Sequence, residues 1–251
     1  MVVATGSDRR LLDVRGLTKS FGGVTAVKAL SFAVAEGEIL GLIGPNGSGK
    51  TTAFNLIAGL LRPDGGQVWF AGDEITALAP HAICAKGVAR TFQLVRPFPH
   101  LSALQNVMVG RVYGRDAARS LAAASREATE VLAFVGLAGK AALPARQLTL
   151  VDRKRLELAR ALATRPRLLL LDEFMAGLNP QEVAAAMGLF RRIREAGCTV
   201  VMIEHIIKAV LVLSDHVIVL NAGQAIAEGP PEVIVRDPRV IEAYIGETTH
   251  A

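Results

Sequence analysis

Residues 44–51 read Gly44-Pro45-Asn46-Gly47-Ser48-Gly49-Lys50-Thr51, a complete G-x-x-x-x-G-K-S/T phosphate-binding loop. Such a loop works only where a strand feeds it and a helix leaves it, so it constrains the local fold more than any other feature of the chain. Both flanks are present. Glu38–Ile43 is a short apolar run that reads as a buried strand, and Thr51–Gly59 reads as a helix whose N-terminus faces the anion. Glycine lets successive backbone N–H groups turn inward, and a side chain at Gly47 or Gly49 is expected to block the approach of phosphate. Lys50 supplies a point charge for the β and γ oxygens, and the Thr51 hydroxyl completes Mg²⁺ coordination. The motif predicts that the chain binds a nucleoside triphosphate through Gly44, Asn46, Gly47, Ser48, Gly49, Lys50, Thr51 and Thr52.

At 251 residues the chain fits one α/β domain with room for an inserted subdomain, and an apolar fraction of 51% argues against disorder. The runs Leu168–Leu171, Val200–Ile203 and Ala209–Leu213 are core-sized, too short to span a bilayer. Met1–Arg10 lacks the apolar segment of a secretory signal. Cys84 and Cys198 lie far apart with no second cysteine near either, which excludes a zinc or redox motif and predicts reduced thiols. A net charge of +5 permits an anionic partner, but the basic residues are scattered. Arg153-Lys154-Arg155 and Arg191-Arg192 fall on helical stretches and read as solvated faces. One Trp and two Tyr are thin material for base stacking, so nucleic acid is not an expected partner.

Short strands are expected at Leu12–Arg15 and Ala29–Ala35, then a turn and strand over Gly65–Ala71. From about Leu94 to Leu158 the pattern is helical and Ala-rich, with Ala117–Val135 as one helix. Strand and helix then alternate: Arg167–Leu171, Pro180–Arg194, Cys198–Ile203, Ile206–Leu213, Val217–Leu220. That order predicts a parallel-sheet nucleotide fold with a helical insert between two of its strands. The strand at Arg167 ends in Asp172-Glu173. Buried on both faces, it delivers Asp172 to the phosphate loop to hold the Mg²⁺ shell and leaves Glu173 to polarise the attacking water.

In order and spacing, these motifs resemble the ATP-binding subunits of ABC transporters across nearly the whole chain, and most of all those of branched-chain amino-acid importers. Val88-Ala89-Arg90-Thr91-Phe92-Gln93 is similar to the family's Q-loop, which implies that Gln93 reaches Mg²⁺ and the water. Phe21 stands where the family keeps an aromatic residue, usually Tyr, against adenine. Ala176-Gly177-Leu178-Asn179 resembles the D-loop, and Glu204-His205 matches the switch histidine that contacts the γ-phosphate. Ala227-Glu228-Gly229-Pro230 and the stretch from Asp237 to Gly246 resemble the importer group's ending. The resemblance implies an α/β P-loop NTPase fold of the ABC type, with an N-terminal antiparallel β subdomain. Its core is expected at about 8–93 and 159–251 and its helical subdomain insert at about 94–158. It also implies ATP and Mg²⁺ as cofactors, with Glu173, His205 and Gln93 catalytic and Thr51, Gln93 and Asp172 at the metal. Two membrane-embedded permease subunits, a second ATP-binding subunit and, indirectly, an extracytoplasmic solute-binding protein are implied as partners, at the cytoplasmic face of the inner membrane. His81, His100, His216 and His250 have no paired ligand spacing and read as surface or packing residues.

Two departures stand out. Where the family reads Leu-Ser-Gly-Gly-Gln, this chain has Leu148-Thr149-Leu150-Val151-Asp152. In the family this segment opens a helix that presses on the γ-phosphate bound by the opposite subunit, so that each of two ATP sites pairs one subunit's phosphate loop with the other's signature. Thr149 keeps a hydroxyl for that phosphate, but β-branched Val151 is expected to crowd a close approach. Phe174 replaces the usual Pro. The main expectation is a hydrolysing motor subunit of an importer for branched-chain amino acids. The alternatives are a regulatory nucleotide-binding subunit with weakened turnover, or the same motor for another solute such as urea. An ABC-type ATPase acting on nucleic acid or ribosomes is a third class, disfavoured because such proteins fuse two domains or carry long insertions.

Overall fold

The computed structural model describes residues 10–245. β1 (Arg10–Phe21) and β2 (Val24–Ala35) form a long antiparallel hairpin across Gly22-Gly23, with Phe21 opposite Val24. The sequence marks only parts of these arms as strand. The reason is that register shifts near Gly16 and Ala29, both at positive φ, break the period-two alternation that a strand is read from.

The rest of the chain follows as β3 (Ile39–Ile43), α1 (Lys50–Ile57), β4 (Gly65–Phe70), β5 (Asp73–Glu74), α2 (Pro80–Lys86) and β6 (Val88–Arg90). Then come α3 (Ala103–Tyr113), α4 (Leu121–Phe134), α5 (Leu150–Ala163), β7 (Leu168–Asp172), α6 (Pro180–Glu195) and β8 (Thr199–Ile203). The described part ends with α7 (Ile207–Leu213), β9 (His216–Asn221), β10 (Gln224–Gly229), α8 (Pro231–Ile234) and α9 (Pro238–Ile245). One sheet is antiparallel in the order β2-β1-β4-β5. The other runs β10-β9-β3-β8-β7-β6, parallel except for β10.

The parallel strands are apolar on both faces because both faces are covered. Leu40, Leu42, Leu168, Leu170, Val201, Ile203, Ile218 and Leu220 share a core with Phe54 of α1 and the antiparallel sheet. Their alternates, among them Leu169, Leu171, Val200, Met202, Val217 and Val219, pack with α5, α6 and α7. Strand C-termini therefore converge on one edge, where β3 opens into the phosphate loop and β7 ends in Asp172.

Helix starts follow their caps. Ser102 and Gln105 form a capping box at α3, and Asn179 and Glu182 another at α6, ahead of Pro180. The Ala-rich stretch from Ala117 becomes helical only after Ser120, whose hydroxyl accepts from the Ala123 N–H at 3.1 Å. β5 and β6 carry too few residues for a periodic signal, and they, α2 and β10 are not among the sequence expectations. Among the described residues no helix is long and apolar enough to cross a membrane.

Candidate functional site

The phosphate loop is fastened to two strands by glycine. Gly44 lies at φ 148, where a Cβ would stand 2.0 Å from the Leu220 carbonyl oxygen. Gly49 lies at φ 103, with its Cβ position 2.3 Å from the Ala26 carbonyl oxygen. At Gly49 a Cβ would also meet the protein's own β2, and at Gly47, where no protein atom lies within 4 Å of a Cβ, the backbone at φ 75 favours glycine.

Lys50 is buried and donates from Nζ to the Gly44 carbonyl at 2.7 Å, the Pro45 carbonyl at 2.8 Å and Ser48 Oγ at 3.4 Å. Ser48 is buried, Asn46 and Thr51 are exposed, and Thr52 is half-buried. No side chain caps α1 and no acid lies in its first turn, which leaves its N-terminal field for an anion. Phe21, half exposed at the end of β1, presents a ring with Lys19 Nζ 5.7 Å from its centroid.

Asp172 occupies the end of β7, as expected, but it does not stand alone. Arg90 Nη2 donates to its Oδ2 at 2.7 Å, and Arg90 Nη1 donates to Asn55 Oδ1 at 2.6 Å. The guanidinium lies 5.6 Å from the Phe54 ring and 5.1 Å from that of Phe92. Burial pushes the Asp172 carboxyl up, and the Arg90 hydrogen bond opposes that rise. Asp172 Oδ1 is buried without a hydrogen-bond partner. Asp172, Thr51 and Gln93 line one cavity of about 510 Å³. An orphaned carboxylate oxygen on a residue that shares a cavity with a hydroxyl and an amide is a donor set that fits a hard cation such as Mg²⁺. Among the described residues no group of three or more His, Cys, Asp or Glu could hold a metal, so such an ion would draw its other ligands from phosphate and water.

Glu173 ties the site together. Its Oε2 accepts from Gln93 Nε2 at 2.7 Å, and its Oε1 accepts from His205 Nε2 at 2.8 Å. An ionised carboxylate only accepts, so its bond to His205 requires a proton on Nε2. The backbone of Glu173 is left-handed at φ 50, and its N–H is held by the Ile203 carbonyl at 2.9 Å. Three residues far apart in sequence thus meet through side-chain hydrogen bonds.

Thr149 sits elsewhere, as the N-cap of α5. Its hydroxyl accepts from the Asp152 N–H at 3.2 Å and donates to Asp152 Oδ2 at 2.7 Å, while Lys140 Nζ donates to the same oxygen at 2.5 Å. Burial alone would raise the Asp152 carboxyl, but these bonds hold it below its ordinary range. The hydroxyl expected to face phosphate is thus engaged within its own helix. Val151, half-buried, lines a cavity of about 190 Å³ together with Phe174, so the two departures from the family pattern adjoin one another.

The reading of Arg153-Lys154-Arg155 as a solvated face fails at its centre. Lys154 is buried, and its Nζ donates to the carbonyls of Phe174 and Ala176, both at 2.8 Å, and of Glu173 at 3.4 Å. A helix turns every 3.6 residues, so one member of a basic triplet can point inward while its neighbours face solvent. Arg191 and Arg192 are exposed, as expected.

Residues not anticipated in sequence include Arg90, Asn106, Lys154 and Glu204. Asn106, fully buried, accepts from the Phe98 N–H and donates to the carbonyls of Phe98, Leu101 and Ser102, which shapes the loop after Gln93. Glu204 accepts from the Met175 N–H at 2.7 Å. For Asn106 and Glu204 the available signal was a polar residue beside an apolar stretch.

An apolar groove of about 320 Å³ runs beside this loop, lined by Leu60, Ile83, Phe92, Val109 and Tyr113 among others. Phe98, at its neighbouring loop, lies under the Arg160 guanidinium at 4.9 Å, and Arg160 also donates to the Arg96 carbonyl at 3.0 Å.

Comparison with known proteins shows the family. Residues 27–176 match the ABC transporter family model, and residues 226–250 match that of the branched-chain amino acid ATP-binding cassette transporter. The high-affinity branched-chain amino acid transport ATP-binding protein BraF of Pseudomonas aeruginosa is 42% identical over 95% of this chain and 99% of its own length. A solved ATP-binding cassette of an ABC transporter in its ADP conformation superposes with a TM-score of 0.85 at 31% identity, covering 94% of this chain and 99% of that one. A dimeric ATP-binding cassette in a post-hydrolysis state, bound to ADP and Pi, gives 0.80 at 27% identity over 88% of this chain and 98% of that one.

Proposed function

This chain belongs to the ABC transporter family of ATP-binding proteins, and we propose that it is the ATP-hydrolysing subunit of an importer for branched-chain amino acids. The observation that carries the reading is Glu173 held between Gln93 and His205 beside an intact phosphate loop. The kinship with BraF over nearly the full length of both chains supports the solute class.

Lys50 compensates the charge of the β and γ oxygens of ATP, exchanging contacts with the loop's own carbonyls for contacts with phosphate. Gly44, Asn46, Gly47, Ser48, Gly49 and Thr52 surround the phosphates, and Phe21 offers its ring to adenine. Water attacks the γ-phosphorus, the bond to the bridging oxygen breaks, and Glu173 takes the water's proton, giving ADP and phosphate. Gln93 and His205 fix both carboxylate oxygens, so the base is oriented before substrate arrives. Thr51, Asp172 and Gln93 would hold Mg²⁺, which neutralises charge on the phosphates.

The motor works with two membrane-embedded permease subunits, a second ATP-binding subunit and, indirectly, an extracytoplasmic solute-binding protein, at the cytoplasmic face of the inner membrane. The helical segment of about 94–158 acts as an insert in the nucleotide core. The apolar groove beside Phe98 is the seat for the permease.

Measuring ATP binding and turnover on Lys50→Ala and Glu173→Gln tests the assignment. The first should lose binding. The second should bind normally and lose roughly 10²–10⁴-fold in turnover, the range for a general base. Wild-type turnover by Glu173→Gln would remove Glu173 from this role.

A further inference from the structure

Resting on the roles given above to Glu173 and His205, we propose that Lys154 is a positioning residue for hydrolysis. From the first turns of α5 it fixes the loop that carries Glu173, so the acid meets its partners only while α5 is seated.

The geometry is that of a cation enclosed by one loop. An ammonium has three donors. Those of Lys154 are directed at the carbonyls of Phe174 and Ala176, and at longer range Glu173, within a single turn. A buried cation is costly unless its donors are satisfied, and main-chain dipoles satisfy this one. The same loop is also held by Glu204, whose carboxylate accepts from the Met175 N–H at 2.7 Å. Glu204 immediately precedes His205. The loop therefore joins the helix capped by Thr149 to the strand exit that presents the histidine. Its first residue, Glu173, has the left-handed backbone at φ 50. Such a conformation persists in a non-glycine residue only where neighbours over-determine it. Lys154 acts from a distance on where the acid points and has no contact with the phosphate loop in this arrangement.

The test measures steady-state ATP turnover in the assembled transporter and the affinity of the same complex for trinitrophenyl-ATP. Lys154→Gln should lower kcat at least tenfold while nucleotide affinity stays within twofold. Lys154→Arg, which returns the charge to the same carbonyls, should recover most of the turnover. Unchanged kcat, a parallel loss of kcat and affinity, or an Arg variant as slow as the Gln variant would each overturn the proposal. Loss of the cooperative thermal transition in Lys154→Gln would do the same, since it would assign the lysine to stability alone. Glu173→Gln, run in parallel, separates the two readings. A stalled Glu173→Gln beside a fully active Lys154→Gln defeats only the role of Lys154, whereas an active Glu173→Gln defeats the premise.

Discussion

Val151 and Phe174 are neighbours around one cavity, and that changes what each means. A valine in the first turn of α5 would narrow the approach to the helix N-terminus if it faced outward; here it is half-buried and lines a cavity together with Phe174. Leu150, by contrast, is 57% exposed beside the Thr149 cap. Phe174 packs edge-on to Phe190 with centroids 5.3 Å apart, an anchor that the smaller proline of the family pattern does not offer. Replacing Leu150 and Val151 by glycine should therefore have two separable effects. Stability should fall by about 2 kcal/mol, from two helical glycines and a larger cavity. Turnover of the assembled complex should rise several-fold if side chains at the helix start are what slow the site formed there. Thermal denaturation and steady-state ATPase report the two effects independently. A stability loss with no gain in rate would mean that both ATP sites fire alike and that the Thr149–Asp152–Lys140 contacts, not the missing glycines, define this helix start.

At the scale of elements, the loop between β6 and α3 links the nucleotide site to the apolar groove. Gln93 bonds Glu173, while Phe98 five residues later lies under Arg160 and is pinned through Asn106. An aromatic and an arginine on one loop are the residue types that dominate interface energy. Alanine at both Arg96 and Phe98 should uncouple solute uptake from ATPase while ATP affinity stays within twofold; unchanged uptake would place the permease elsewhere. The site was legible in sequence where function imposes a fixed spelling. Gly44 to Thr51 and Asp172-Glu173 could be read from the residues themselves, His205 came only through the family resemblance, and the buried strands Ile39–Ile43, Leu168–Asp172 and Thr199–Ile203 followed from apolar runs. What could not be read was pairing. Nothing in the spelling of Arg90 points to Asp172, and nothing in Lys154 points to a loop some twenty residues on, because both contacts are set by tertiary packing. The hairpin arms were hidden for a different reason, since their bulges erase the alternation that reveals a strand.

For the molecule as a whole, the buried acids Glu157 and Glu204 make stability fall as pH rises, in the same sense as the raised carboxyl of Asp172. Burial pushes the carboxyl of Glu157 up to about 7, opposed by the Phe92 N–H it accepts at 2.6 Å. Burial likewise pushes Glu204 to about 7, opposed by the Met175 N–H. Both ordinary values are 4.5. The folded state therefore binds these protons more tightly than the unfolded chain. The stability they contribute is complete below about 4.5 and is lost as pH rises through 7. At roughly 1.4 kcal/mol per pH unit, each acid accounts for about 3 kcal/mol between those limits. Asp152, held low by Lys140 and Thr149, works in the opposite sense but in a lower window, where its contribution is lost as pH falls through its depressed value. The two effects do not overlap near neutrality. Glu157→Gln keeps a carbonyl oxygen for the Phe92 N–H and cannot ionise. Its melting temperature should exceed that of the unsubstituted protein by several degrees at pH 8, with the gap closing toward pH 5. Thermal scans across that range decide the matter. A gap of constant size would mean that Glu157 does not titrate on unfolding, and a gap that widens toward acid would reverse the sign assigned to its burial.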